Sequence, residues 1–273
     1  MESFDLILYK LKGFETSFSF QVIDQSIMCS DHRNPSYAHE HYRSCAVHGG
    51  DGFAFVIHGD KNETSALGEN GQELGYGGIS NSLAIEFDMW TNVKTQGSDD
   101  FFFDHISIHS GSTKINSSGS KTSLGYARPV DLADGERHTV KIRYIPYIEY
   151  LEYMTANDNL LPYLKDNGEG RRLGTLAIFI NQGLKDDKPI LAIPLNLSVL
   201  LDLPESLAYV GFTASTGEKW QKHDILNWHW CDTIHCHVDP IKALEHEPGN
   251  EENLTSEFLH PDYSYGVTGQ GII

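Results

Sequence analysis

The chain has 273 residues, with 38 acidic side chains against 20 basic ones and a formal net charge of −18. That length allows one large β domain or two smaller ones with a real core, and the charge argues against nucleic acid or an anionic membrane as the main partner. No apolar run reaches the roughly 18 residues that a membrane-spanning helix needs, and Met1–Leu11 lacks the basic and apolar regions of a signal peptide.

In chain order, Phe14, Phe18, Phe20 and Val22 alternate with polar neighbours. Phe53, Phe55 and Ile57 repeat that period of two, as do Ile106 with Ile108 and Val140, Ile142 and Tyr144. Later runs cover Leu176 to Ile180, Ile190 to Leu195, Tyr209 to Ala214, and Leu226, Trp228 and Trp230. Clusters of Gly, Asn, Asp and Ser separate the runs, and no long helical period competes with them. Many strands joined by long loops predict an all-β sandwich of two antiparallel sheets.

Three stretches break the pattern. Cys29 to Gly50 is rich in histidine and reads as a disulfide-tied loop. Ile145 to Arg171 carries Tyr147, Tyr150 and Tyr153 at helical spacing, an aromatic stripe expected to pack an insertion against the body. From His237 to Ile273 the chain is acidic, rich in Gly and Pro and without period, as a linker or tail would be. The expected division is a domain over residues 1–236, with insertions near 29–50 and 145–171, followed by a tail over 237–273.

Four cysteines form two local pairs, Cys29 with Cys45 and Cys231 with Cys236, and each pair would close a short loop as a disulfide. Zinc is the rival reading, because His32, His39, His41 and His48 lie near the first pair and His235 and His237 near the second. Asn62, Asn116, Asn196 and Asn253 each head an Asn-X-Ser/Thr triplet, a glycan acceptor in a secreted glycoprotein. Cysteines and triplets together favour the secretory pathway or the cell exterior.

The richest segment is Leu83 to Asn92. Leu83, Ile85 and Phe87 alternate with Ala84, Glu86 and Asp88, so the apolar set enters a core while both carboxylates emerge on the other face. Two adjacent carboxylates repel unless a cation or a proton lies between them. Asn92, Asp99, Asp100 and His105 follow. Hard oxygen donors suit Ca²⁺, and one imidazole added to carboxylates suits Mn²⁺ or a similar transition ion. The residues therefore read as a two-metal site that shapes a loop, against the alternative of a solvated acidic strand end.

Four separated segments, in order, resemble the L-type (legume-type) lectins: Gly50-Asp-Gly-Phe-Ala-Phe55; Leu74-Gly-Tyr-Gly-Gly78 leading into Asn81–Asn92; His105-Ile-Ser-Ile-His109; and Tyr209 to Trp230. The resemblance runs from about Phe14 to Trp230 and is closer to microbial and animal secreted lectin modules than to seed lectins. It implies a concanavalin-like jelly roll with a metal pair beneath a shallow sugar pocket. Position by position, it implies Glu86, Asp88, Asp100 and His105 around the transition ion. Asp88, the Trp90 carbonyl, Asn92 and Asp100 would take calcium, with Asp99 one residue from the bridging position. It further implies a cis peptide before Asp51, whose carboxylate would accept two sugar hydroxyls. Asn92 and the backbone N–H of Gly78 (or Gly77) would add hydrogen bonds, Trp90 would stack on the ring, and Gly217, Glu218 and Lys219 would close the pocket. His109 and His223 receive no role beyond structure, and Trp220 in the closing loop suits either ligand contact or partner surface.

The family domain opens with a strand that pairs with its closing strand, and this chain starts close to the second strand. The first strand is therefore expected to be absent or replaced by Met1–Tyr9, leaving an open edge beside Leu226–Trp230.

The function this implies is a calcium- and manganese-dependent lectin that binds glycans or glycoproteins without catalysis, nucleic acid or membrane insertion, and with room for a homo-oligomer. The alternatives are a glycoside hydrolase on the same jelly roll and an adhesion scaffold that no longer binds sugar. A hydrolase needs two acids flanking the bond, yet Met89, Trp90 and Thr91 follow Asp88 where a further acid would stand.

Overall fold

A computed structural model of the chain describes residues 13–33, 41–47, 49–92, 104–129, 131–164, 173–203, 207–217, 219–232 and 271–272. Thirteen strands lie among the described residues: β1 (Phe14–Ile23), β2 (Ile27–Arg33), β3 (His41–Val47), β4 (Gly52–His58), β5 (Ser80–Asp88), β6 (His105–Ile115), β7 (Ser123–Ala127), β8 (Arg137–Ile145), β9 (Gly174–Ile180), β10 (Leu191–Leu195), β11 (Tyr209–Ser215), β12 (Lys222–Cys231) and β13 (Gly271–Ile272). The two α-helices among the described residues, α1 (Gln182–Lys185) and α2 (Leu197–Leu200), are one turn each. Two antiparallel sheets make the sandwich. The front sheet has order β11-β4-β5-β6-β7, and the back sheet β10-β9-β8-β1-β12-β13.

The alternation read from the sequence fills the space between the sheets. Phe18 and Phe20 of β1 meet Phe53 of β4 and Phe87 of β5, and Phe53 stacks on Phe87 with centroids 4.7 Å apart. Val140, Ile142, Leu176, Ile178 and Ile193 enter from the back sheet, and Trp228 and Trp230 of β12 are buried as expected.

At its centre the outer face of the front sheet is buried too. Small side chains at Ala54, Val56 and Ala84 let the segment Ala66–Ile79 lie flat across it, with Leu74 and Tyr76 fully buried. Outward-facing residues of β4, β5 and β6 therefore sit under a roof rather than in water, and Glu86 is among them.

Two expectations change. First, the strand thought missing is present: β1 itself pairs with β12 from Glu15↔Cys231 to Ile23↔Lys222. Residues 1–12 lie outside the described residues. Second, the disulfide-tied stretch holds two paired strands where a loop was expected. β2 and β3 pair from Ile27↔Val47 to Arg33↔His41, with Cys29 directly opposite Cys45 and disulfide-bonded to it. That bond removes the zinc reading for this pair, since zinc requires thiolates. The partner proposed for Cys231, Cys236, lies outside the described residues. The tyrosine stripe packs against the body as expected, in 3₁₀ turns. Leu151–Tyr153 and Asp158–Tyr163 are 3₁₀ turns, with Tyr150 and Tyr153 packed on Ala177, Phe179 and Ala192 of the back sheet, while Tyr147 is exposed.

Burial also corrects the glycan triplets. Asn116 and Asn196 are 0% and 1% exposed. The Asn116 amide donates to the His109 carbonyl at 3.1 Å, and the Asn196 side chain caps α2 by accepting from the Ser198 amide. Neither nitrogen is open to a glycosyltransferase in the folded chain. Asn62 is exposed, and Asn253 lies outside the described residues. On secretion from a eukaryotic host, Asn62→Gln is expected to lower the mass by one glycan. Asn116→Gln and Asn196→Gln leave the glycan mass unchanged, as intact-mass spectrometry will show.

Candidate functional site

The register of the front sheet assembles the site. Asp88 lies opposite Gly52 on β4 and opposite His105 on β6, and Glu86 lies opposite Ala54 and Ser107. Strand alternation then sends Glu86, Asp88, His105, Ser107 and His109 to the roofed outer face. Gly52 is required where β4 meets Asp88. Its φ is +155°, and a Cβ there would lie 2.3 Å from the Phe87 carbonyl oxygen.

Glu86, Asp88 and His105 are all buried, and their ligand atoms lie within 4.8 Å of one another, the one such grouping of three among the described residues. Around Glu86 the donors are dense. Tyr76 donates its hydroxyl to Oε2 at 2.6 Å, and Ser107 donates to Oε1. The Nε2 atoms of His105 and His109 stand 3.3 and 3.0 Å from Oε1. Burial pushes the Glu86 carboxyl up, but the His109 charge and hydrogen bonds from both histidines outweigh it and hold the group well below the usual carboxylate range. For Tyr76 burial and the Glu86 charge act together, raising its hydroxyl well above its ordinary value and keeping it a donor. Two carboxylates and an imidazole, buried together, fit a divalent ion of the Mn²⁺ class. Asp99 and Asp100 lie outside the described residues.

One turn further on, Asp88 Oδ1 accepts from the Trp90 amide at 2.7 Å, fixing the turn that carries buried Asn92. The same turn supports Asp51: the Met89 amide donates to the Asp51 carbonyl at 3.0 Å, and Trp90 packs on Gly50. The Gly50–Asp51 peptide is cis, as the resemblance implies. Asp51 is buried to 8% exposure, its amide donates to the Ser215 carbonyl, and burial holds its carboxyl above the ordinary value against a bond from Ser215. A Cβ built on Gly217 would lie 3.6 Å from Asp51 Oδ2, so the closing loop does reach the carboxylate. Lys219 stands in that loop, accepting from the Gly217 amide, and Trp220 beyond it is 51% exposed. Glu218 lies outside the described residues.

Gly78 departs from its assignment. Its N–H donates to the Asn116 carbonyl at 2.9 Å, and that of Gly77 donates to the Glu73 carbonyl, so neither is available to a ligand. The loop that adjoins Asp51 is instead the one at Gly71, whose carbonyl accepts from Ser215 Oγ at 2.5 Å while the same oxygen lies 3.4 Å from Asp51 Oδ2. Residue counting missed Gly71, Ser215, Tyr76 and Ser107. It also gave His109 only a structural role, although His105, Ser107 and His109 share one face by alternation alone.

A model of the legume lectin domain matches residues 5–237. The chain belongs to the legume lectin domain family. It is 32% identical over 187 residues to the probable L-type lectin-domain containing receptor kinase VII.2 of Arabidopsis thaliana, a match covering 66% of this chain. The chain spans 23% of that relative's length. Among solved structures it is similar to the exoplasmic/lumenal domain of VIP36 in its Ca²⁺/Man-bound form, with TM-score 0.49, 18% identity and coverage of 87% of this chain and 77% of that one. The Emp47p carbohydrate recognition domain aligns with TM-score 0.40 and 12% identity over 84% of this chain and 74% of that one. The legume-lectin jelly roll follows from the family match and the two antiparallel sheets together.

Behind the closing loop, Gln221 donates its amide to Met89 Sδ and to His223 Nε2, at 3.1 and 3.0 Å. His223 accepts there only when neutral, and burial lowers its pKa to about 4. The unfolded chain takes up a proton near the ordinary value of 6.5, whereas the folded chain resists until about 4. Stability from neutral His223 is thus complete above 6.5 and lost as pH falls from 6.5 toward 4. Urea unfolding in chelator at pH 7 and pH 4.5 is expected to show a drop that His223→Gln reduces, on the order of 2 kcal/mol. An unchanged drop would refute the assignment.

Proposed function

We propose that this lectin domain is a metal-dependent glycan-binding module without catalytic activity, working in the secretory pathway or outside the cell. The observation that carries this reading is the position of Asp51. Its buried carboxylate stands beside Gly217 and Ser215, and its backbone is pinned by the Met89 amide one residue beyond Asp88 of the buried ligand set.

Glu86, Asp88, His105 and Asp100 would hold Mn²⁺ or a similar ion, and Asp88, the Trp90 carbonyl, Asn92 and Asp100 would hold Ca²⁺. The ions would supply positive charge that makes two adjacent buried carboxylates affordable and fixes the turn between them. The rest is the work of this chain. Asp51 accepts hydrogen bonds from two sugar hydroxyls, Asn92 donates its amide, Trp90 lies against the ring, and Gly217, Glu218 and Lys219 bound the pocket. The committed amide of Gly78 makes the Gly71 loop the better source of the backbone donor. A site preset in this way loses less entropy on binding. A shallow pocket of few contacts still gives only about millimolar to high-micromolar affinity for one sugar, so useful strength needs several sites together.

A glycan array probed with and without EDTA tests this reading. Capture is expected to need the metal, and Asp51→Ala is expected to lower it at least about tenfold, the loss of hydrogen bonds to a charged group, while the melting temperature stays within a few degrees. Asp88→Ala lowers both. Capture by Asp51→Ala equal to the parent would mean that the pocket lies elsewhere, and glycan turnover would favour the hydrolase reading.

A further inference from the structure

We propose that His109 is a positioning residue for the transition-metal half of the site, holding the Glu86 carboxylate in place for the ion. The inference rests on the metal reading above and concerns a residue outside the expected ligand set.

The geometry comes from the sheet. His109 lies opposite Ala84, two residues before Glu86 on the neighbouring strand, so it reaches Glu86 along the diagonal of the ladder. The Ala84 methyl leaves room for the ring to lean that way. His109 Nε2 then stands 3.0 Å from Glu86 Oε1 and 2.9 Å from Ser107 Oγ, with Thr122 Oγ1 3.3 Å from Nδ1. An ionised carboxylate only accepts, so the nitrogen facing it carries the hydrogen.

His105 makes a longer approach to the same oxygen, at 3.3 Å. Its situation differs, because His105 belongs to the ligand grouping and His109 does not. A ring nitrogen that ligates an ion turns a lone pair to it and stops donating. His109, Ser107 and Tyr76 are then the groups left to orient Glu86. Outer partners of this kind fix a ligand's direction, and losing one costs roughly 10–100-fold in metal affinity.

The test uses the full chain, stripped of metal and titrated with Co²⁺ against a chromophoric chelator. Affinity and the visible Co²⁺ absorption band are both read. In His109→Asn the amide reaches the Nδ1 position and Thr122 but not Glu86, whereas in His109→Gln it reaches the Nε2 position. Asn is expected to weaken Co²⁺ binding roughly 10–100-fold and to shift the band, while Gln stays within about threefold of the parent. Melting in excess EDTA checks the metal-free fold. Parental Co²⁺ affinity in the Asn variant, or equal weakening in Asn and Gln, overturns the inference and leaves the lectin reading standing. If Asn does not fold, a Gln variant weakened by tenfold or more overturns it alone. A parent chain that binds no Co²⁺ overturns both.

Discussion

The burial of the Glu86 and Asp88 carboxylates on the outer face of the front sheet is the constraint on which the site depends. An unpaired buried charge costs several kcal/mol, so neighbouring groups must compensate it. The chain does so with hydrogen bonds from Tyr76 and Ser107, imidazoles at His105 and His109, and the Trp90 amide on Asp88. These groups come from three pieces of the front half: the roof segment, β6 and the turn after β5. Compensating two charges therefore ties the roof, the sheet and the turn into one unit.

Asp51 belongs to that unit through its backbone. β4 begins beside Asp88, where Gly52 permits the close approach, and Met89 holds the Asp51 carbonyl. Ser215 at the end of β11 supports Asp51 from the other side and links it to the Gly71 loop. Three segments distant in sequence thus converge on Asp51: the turn after β5 at its carbonyl, the end of β11 with Gly217 at its carboxylate, and the Gly71 loop through Ser215. The hydrophobic core beneath gives them a rigid base, since Phe53 and Phe87 immediately follow and precede the functional positions and stack on each other.

The period of two made most of this legible. It sends Phe87 inward and Glu86 and Asp88 outward, and it marked the strand runs later observed as β1, β4, β5, β6, β8, β9, β10, β11 and β12. It failed where neighbouring apolar residues are both exposed. In the β2–β3 ribbon Ile27 and Met28 are both exposed, so no alternation marks it. Asn116 and Asn196 show that a three-residue pattern carries no information on burial. Gly78 misled because spacing can place a glycine near a site without saying where its N–H points. His109 was readable, standing four residues beyond His105 on one strand. What the sequence did not supply was the register that sets it diagonal to Glu86.

The central proposal is that a divalent ion completes the charge balance around Glu86 and Asp88 and thereby stiffens the turn that supports Asp51. Elemental analysis of the purified chain, paired with melting before and after chelation, tests it most directly. The account predicts calcium and a transition metal bound in near-stoichiometric amounts, and a melting temperature that falls on chelation and returns when the ions are restored. A chain that holds neither ion, and melts at the same temperature in chelator as in excess Ca²⁺ and Mn²⁺, would contradict it.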